Sequence, residues 1–146
     1  MEFYIGRSSS WDAKTYPRVG EWPLSVEEEA ALMKRYASLL IAAYATFESW
    51  KRCIRGLDDG CEMVGLDAGE LPDKIYVVLG AHPEKITWPG EWAPYRLNIN
   101  VAKCLTHEVY PRPAFVSAKE AQDYAQKCLI AEPKSRFTVV ELTVVN

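Results

Sequence analysis

The sequence predicts an α+β fold: an antiparallel or mixed sheet of four to five strands, with one long and one shorter helix packed on one face. Three observations carry this expectation. Apolar residues across positions 26–54 recur at intervals of three and four, the spacing of one helical face. Positions 74–79 and 136–145 are rich in β-branched residues, the composition of strands. Between them, positions 95–101 alternate, with Tyr95, Leu97, Ile99 and Val101 on one side and Arg96, Asn98 and Asn100 on the other.

Each element has its own signal. Phe3, Tyr4 and Ile5 mark a short first strand over positions 2–6, followed by an irregular stretch with Pro17 and Pro23. Ser25 and Glu28 have the spacing of a capping box, so a helix starts there. Its apolar face runs through Val26, Ala30, Met33, Tyr36, Ala37, Leu40, Tyr44, Phe47, Trp50 and Ile54, and Gly56 provides a C-terminal cap. Unbroken, this helix is about 45 Å long at 1.5 Å per residue. A compact chain of this size has a radius of gyration of about 15 Å. A helix that outruns its own fold predicts a bend or a partner, and a homodimer through the helix is expected.

Positions 57–73, with Asp58-Asp59-Gly60, Gly65, Gly69 and Pro72, read as a linker. A buried strand follows at 74–79, then a proline-rich loop at 81–94 and the alternating strand at 95–101. Ser117 and Glu120 form a second capping box. Ala121, Tyr124, Ala125, Cys128 and Leu129 give the helix behind it an apolar face, and Glu132-Pro133 ends it. The F-x-S-x-x-E-A-x-x-Y-A run from Phe115 to Ala125 resembles a pattern seen in many small phage and prophage proteins. That resemblance covers a capped amphipathic helix and the strand after it, and it implies structure, not function.

Length and charge narrow the function classes. At 146 residues one domain spanning 1–146 is expected. A chain of this size buries roughly 68–70% of its unfolded surface, so it needs neither disulfide nor metal to hold a core. The net charge of −3 argues against general nucleic-acid binding, which depends on a basic field. Lys51, Arg52 and Arg55 sit at a helix end, where cations complement the dipole. The first residues lack a signal-peptide pattern, and the apolar stretch at 37–45 falls short of the roughly 20 residues a membrane span needs. A cytoplasmic protein with reduced thiols is expected.

No catalytic, metal or cofactor set is assigned. Cys104 and His107 have half the spacing of a zinc site, but Cys53 and Cys61 do not supply the other half. His82 and His107 are the available imidazole bases. Arg7 followed by Ser8, Ser9 and Ser10 is a candidate anion cradle without phosphate-loop glycines. The aromatic residues carry the strongest signal. Four of five tryptophans lie outside the expected helices and strands, and Trp88, Trp92 and Tyr95 crowd one loop stiffened by Pro89 and Pro94. A stiff loop presents large rings with little loss of entropy, which suits a binding anchor. Beside it Arg96, Asn98 and Asn100 form a polar stripe, although asparagine is disfavoured in strands.

The expected function is a non-catalytic domain that binds another protein, as a small inhibitor or accessory factor, with no cofactor. Its candidate binding residues are Trp88, Trp92, Tyr95, Arg96, Asn98, Asn100 and Arg7. The alternative is a small-molecule or nucleotide-binding domain, or a weak enzyme, with Arg7, Arg96, Asn98, Asn100 and His107 lining a polar pocket. A thiol titration under denaturing, non-reducing conditions should count all four cysteines of the chain; a count of two or none would contradict the reducing compartment.

Overall fold

The computed structural model describes residues 1–8, 17–53, 62–88, 93–103 and 110–146. Their elements are β1 (Glu2–Arg7), β2 (Arg18–Val19), α1 (Val26–Ala37), β3 (Leu40–Tyr44), α2 (Phe47–Cys53), β4 (Glu62–Gly65), β5 (Lys74–Lys85), β6 (Tyr95–Val101), α3 (Ala118–Ala131) and β7 (Arg136–Val145). The strands form one seven-stranded sheet in the order β2-β6-β5-β7-β3-β1-β4. Neighbours are antiparallel except β3 and β7, which pair parallel through Ala43 with Val144 and Tyr44 with Val145.

The sheet curls into a half-barrel. Its concave side gathers Phe3 and Ile5 of β1, Val64 of β4, Ile75, Val77 and Leu79 of β5, Leu97 and Ile99 of β6, and Val140 and Leu142 of β7 into one core. Two single bridges span the gap between β4 and β5. Pro113 pairs with Gly65 of β4, and Phe115 pairs with Tyr76 of β5. The edge of β4 is thereby covered, with Gly65 N–H donating to Arg112 O and Ala114 N–H donating to Gly65 O. Gly65 must lack a side chain, because a Cβ there would lie 1.8 Å from Cδ1 of Tyr110. The Tyr110 hydroxyl in turn accepts a hydrogen bond of 3.0 Å from the Met1 ammonium.

The expected architecture requires three corrections. The sheet has seven strands among the described residues, not four or five. The long helix over 25–55 is instead α1, β3 and α2. The helices also occupy both faces. Met33 of α1 joins the concave core, whereas α2 packs Trp50 against Ala42 and Tyr44, and α3 packs Ala121, Tyr124 and Cys128 against Val78 on the other side.

The split helix has a physical reason. Ser38 closes α1, its hydroxyl donating to Arg35 O at 2.7 Å, and Leu39 N–H forms a tight final turn to Tyr36 O. Thr46 then opens α2, its hydroxyl accepting from Ser49 N–H at 3.1 Å. Between these caps, residues 40–44 run between β1 and β7 and exchange helical hydrogen bonds for ladders on both sides. Leu40 and Ala43 then face the core, while Ala42 and Tyr44 face α2. The three-four spacing that resembled a helical face serves two faces of a strand. With the helix broken, the reason for expecting a dimer through it is gone.

At both expected capping boxes the serine half forms, and at Ser25 the Glu28 carboxylate takes the serine hydroxyl at 2.9 Å instead of its backbone N–H. Ser25 accepts from Glu28 N–H at 3.2 Å, and Ser117 accepts from Glu120 N–H at 3.2 Å. Residues 57–73, expected as a linker, contain β4, whose short run alternates Glu62 and Val64 inward with Met63 outward. Leu40 remains a core residue, 7% exposed, although in a strand. Leu40→Ala should lower stability by about 2–5 kcal/mol, read from denaturant unfolding; an unchanged midpoint would mean that β3 does not pack as described.

Candidate functional site

The β5–β6 hairpin projects its tip at Lys85 and Tyr95, the last pair of its register. Three depressions adjoin this tip. A shallow one of about 150 Å³ is lined by Arg18, Glu84, Lys85, Ile86, Thr87, Trp88 and Arg96. A deeper cleft of about 710 Å³ is bounded by Trp22, Pro23, Pro83, Lys85, Tyr95, Pro133, Lys134 and Arg136. A third, of about 450 Å³, shares Pro83, Pro133 and Lys134 with the second and adds His82, Glu132 and Ser135.

The candidate residues fall into separate places. Trp88 is exposed over 71% of its surface, an unusual state for so large an apolar ring. Arg96 pairs with Glu84 across the hairpin at 2.6 Å, both side chains about half exposed. Asn100 donates to Asn98 Oδ1 at 3.2 Å, so the two asparagines satisfy each other along the strand. Tyr95 belongs to the deeper cleft. Trp92 and His107 lie outside the described residues.

Arg7 is elsewhere. Together with Glu62 it lies on the concave side of the sheet, with Nη1 3.7 Å from Oε1 and side chains 11% and 15% exposed. Glu62 Oε2 also accepts from Val101 N–H at 3.3 Å, tying the edge strand β4 to β6 across the curl. Arg7 is thereby part of a structural contact and does not converge with the polar stripe of β6, which faces the opposite side. Burial lifts the Glu62 carboxyl above its ordinary range, opposed by Arg7, the Val101 N–H and Arg112.

His82, Ser135 and Glu132 have the composition of a hydrolytic triad but not its geometry. His82 Nδ1 lies 2.8 Å from Ser135 Oγ and 3.0 Å from Glu132 Oε2. A proton relay needs the acid on one ring nitrogen and the nucleophile on the other. Here one nitrogen serves both. The opposite nitrogen, Nε2, sits over Gly80, where an added Cβ would approach it to 2.8 Å, with Phe137 beside it. Ser135 is only 5% exposed. The group fixes the turn between α3 and β7 and does not form a charge relay.

That turn supplies what the sequence reading missed. Lys134 and Arg136 flank Ser135, and Arg136 is held by Glu29 of α1 at 3.0 Å, with its guanidinium 5.9 Å from the Trp22 ring centre. Trp22 donates its indole N–H to Lys134 O at 2.6 Å. The available signals were two cations around Ser135 and a tryptophan before Pro23, but their meeting across more than a hundred positions has no local trace. Among the described residues, no group of His, Cys, Asp and Glu is placed to hold a metal ion.

Comparison with known proteins gives no match to a family model, a curated protein or a solved structure.

The raised Glu62 carboxyl makes a pH prediction. Its protonated form is favoured in the folded state, so this stabilising contribution is complete below the ordinary glutamate value and is lost as pH rises through the raised one. Unfolding midpoints measured across that window should fall for the native protein relative to Glu62→Gln, which cannot titrate there. Parallel curves would show that Glu62 ionises as an ordinary surface carboxylate.

Proposed function

We propose that this chain is a non-catalytic binding domain that engages another protein through the exposed face of the β5–β6 hairpin. One observation carries the reading: Trp88 stands 71% exposed at the hairpin tip. Tryptophan is enriched among the few residues that anchor protein interfaces. Around it Arg18, Glu84, Lys85 and Arg96 provide a charged border, the arrangement of an apolar anchor within a polar rim. A small inhibitor or accessory factor, of the kind mobile elements encode, is the concrete version of this reading.

The alternative pocket of Arg7, Arg96, Asn98, Asn100 and His107 has less support. Arg7 is committed to Glu62 on the concave side, Arg96 to Glu84, and the two asparagines to each other. A cytoplasmic location accompanies the proposal. What supports it is that Cys53 and Cys128 form no disulfide, as expected in a reducing compartment.

Trp88→Ala is the direct test. Truncating a tryptophan anchor commonly costs about 2 kcal/mol or more, roughly thirtyfold in affinity. Affinity capture from the native host with wild type and variant should show a partner that the variant loses, with melting temperatures within a few degrees of each other. An identical set of captured proteins would remove Trp88 from any interface.

A further inference from the structure

The larger cleft beside the hairpin has a lining unlike that of the Trp88 surface. We propose that it takes a small planar aromatic anion, a ring carrying a phosphate or similar dianion, of the size of a nucleoside monophosphate. Its volume of about 710 Å³ lies within the roughly 300–1,000 Å³ of small-molecule sites. Its walls combine two aromatic rings, Trp22 and Tyr95, with Pro23, Pro83 and Pro133. These are flat, stiff surfaces that lose little conformational freedom when a ring lies against them.

Charge decides the ligand's sign. Lys85, Lys134 and Arg136 all line the cleft. Arg136 is neutralised by Glu29 at 3.0 Å. Among the described residues neither Lys85 nor Lys134 has a carboxylate within ion-pair distance, and the neighbouring Glu84 and Glu132 contact Arg96 at 2.6 Å and the His82 ring at 3.0 Å. Two ammonium groups with no ion-pair partner among the described residues therefore line one concavity on a chain whose net charge is −3. Such a local excess attracts an anion, and a partly enclosed site is screened less than open surface.

The site is also built in advance. Trp22 is fastened to Lys134 O at 2.6 Å, and its ring stacks beneath the Arg136 guanidinium. Arg136 is further held by the carbonyls of Pro133 and Ser135, at 3.1 and 2.8 Å. The segment before α1, the hairpin and the α3–β7 turn are thus fixed to one another before any ligand arrives. The lysines remain as donors with flexible reach.

Calorimetric titration of the full chain with adenosine monophosphate, adenosine and inorganic phosphate tests this. The monophosphate should bind saturably, and adenosine and phosphate should each bind at least about tenfold more weakly. Lys85→Met and Lys134→Met should each weaken the monophosphate by about tenfold, in the range of one charge-assisted hydrogen bond, with melting temperature unchanged. Added salt should weaken it further. The Trp22 indole N–H resonance, assigned with Trp22→Phe, should shift on titration. Adenosine equal to the monophosphate would overturn the anionic part, and phosphate equal to it would overturn the aromatic part. No saturation at millimolar ligand, or lysine variants that bind like wild type, would overturn the site. Lys85 borders both surfaces, whereas Lys134 and Trp22 line only the cleft of the two, so the Lys134→Met and Trp22 readouts distinguish failure here from failure of the protein-binding surface.

Discussion

The final strand holds two half-sheets together. On one side β7 pairs antiparallel with β5 over eight positions, from Arg136 with Ala81 to Thr143 with Lys74. On the other it pairs parallel with β3 at Val144 and Val145, and Ala45 N–H adds a bond of 2.8 Å to Val145 O. Without β7, the strands β2, β6 and β5 would have no ladder to β3, β1 and β4. Its inward side chains Val140 and Leu142 complete the concave core, and its outward Val139 and Phe137 receive α3. Hydrophobic burial on both faces makes this pairing worth the ordering it requires.

Curling the sheet around that strand solves one problem and creates another. It lets Phe3, Val64, Ile75 and Leu97 share a core although they come from opposite ends of the strand order. It also brings the edge strand β4 near β6, where the Val101 N–H needs an acceptor. Glu62 provides it while paired with Arg7, and the raised carboxyl records the desolvation that this position imposes. Segment 112–115 covers the remaining edge of β4 and reaches β5. Arg7, a candidate for ligand binding when read from the chain, is thus used to close the fold.

The proposed binding surfaces lie where these demands end. At the hairpin tip β5 and β6 run beyond the concave core, so Trp88 is not drawn under the sheet and remains exposed. The turn before β7 supplies Lys134, and Arg136 is the first residue of the strand, because a strand that begins at the rim is entered from solvent. Trp22 is carried to the same place by its hydrogen bond to Lys134 O. Two surfaces of different chemistry, a lone exposed ring and a cationic cleft, consequently share Lys85 at their border.

Local chemistry in the sequence determined the starts of α1 and α3, where Ser25 and Ser117 cap their own helices within three residues. It also determined β6, β7 and the first half of β5, whose β-branched or alternating runs mark strands, whereas residues 81–85, expected as a loop, continue β5 through Pro83 to Lys85. The sequence singled out the Trp88 loop by its prolines and aromatic rings, but whether the ring stands exposed or folds back over the sheet was decided by the tertiary structure. The tertiary structure decided the rest. Residues 40–44 carry apolar side chains at spacings that suit a helical face and a strand covered on both sides equally well. Only the unpaired edges of β1 and β7, from the two ends of the chain, break that tie. Four-residue β4 and two-residue β2 are too short to show a period of their own. The cleft required Trp22, Tyr95 and Lys134 to meet across the fold, and contacts between distant positions leave no pattern in a single sequence.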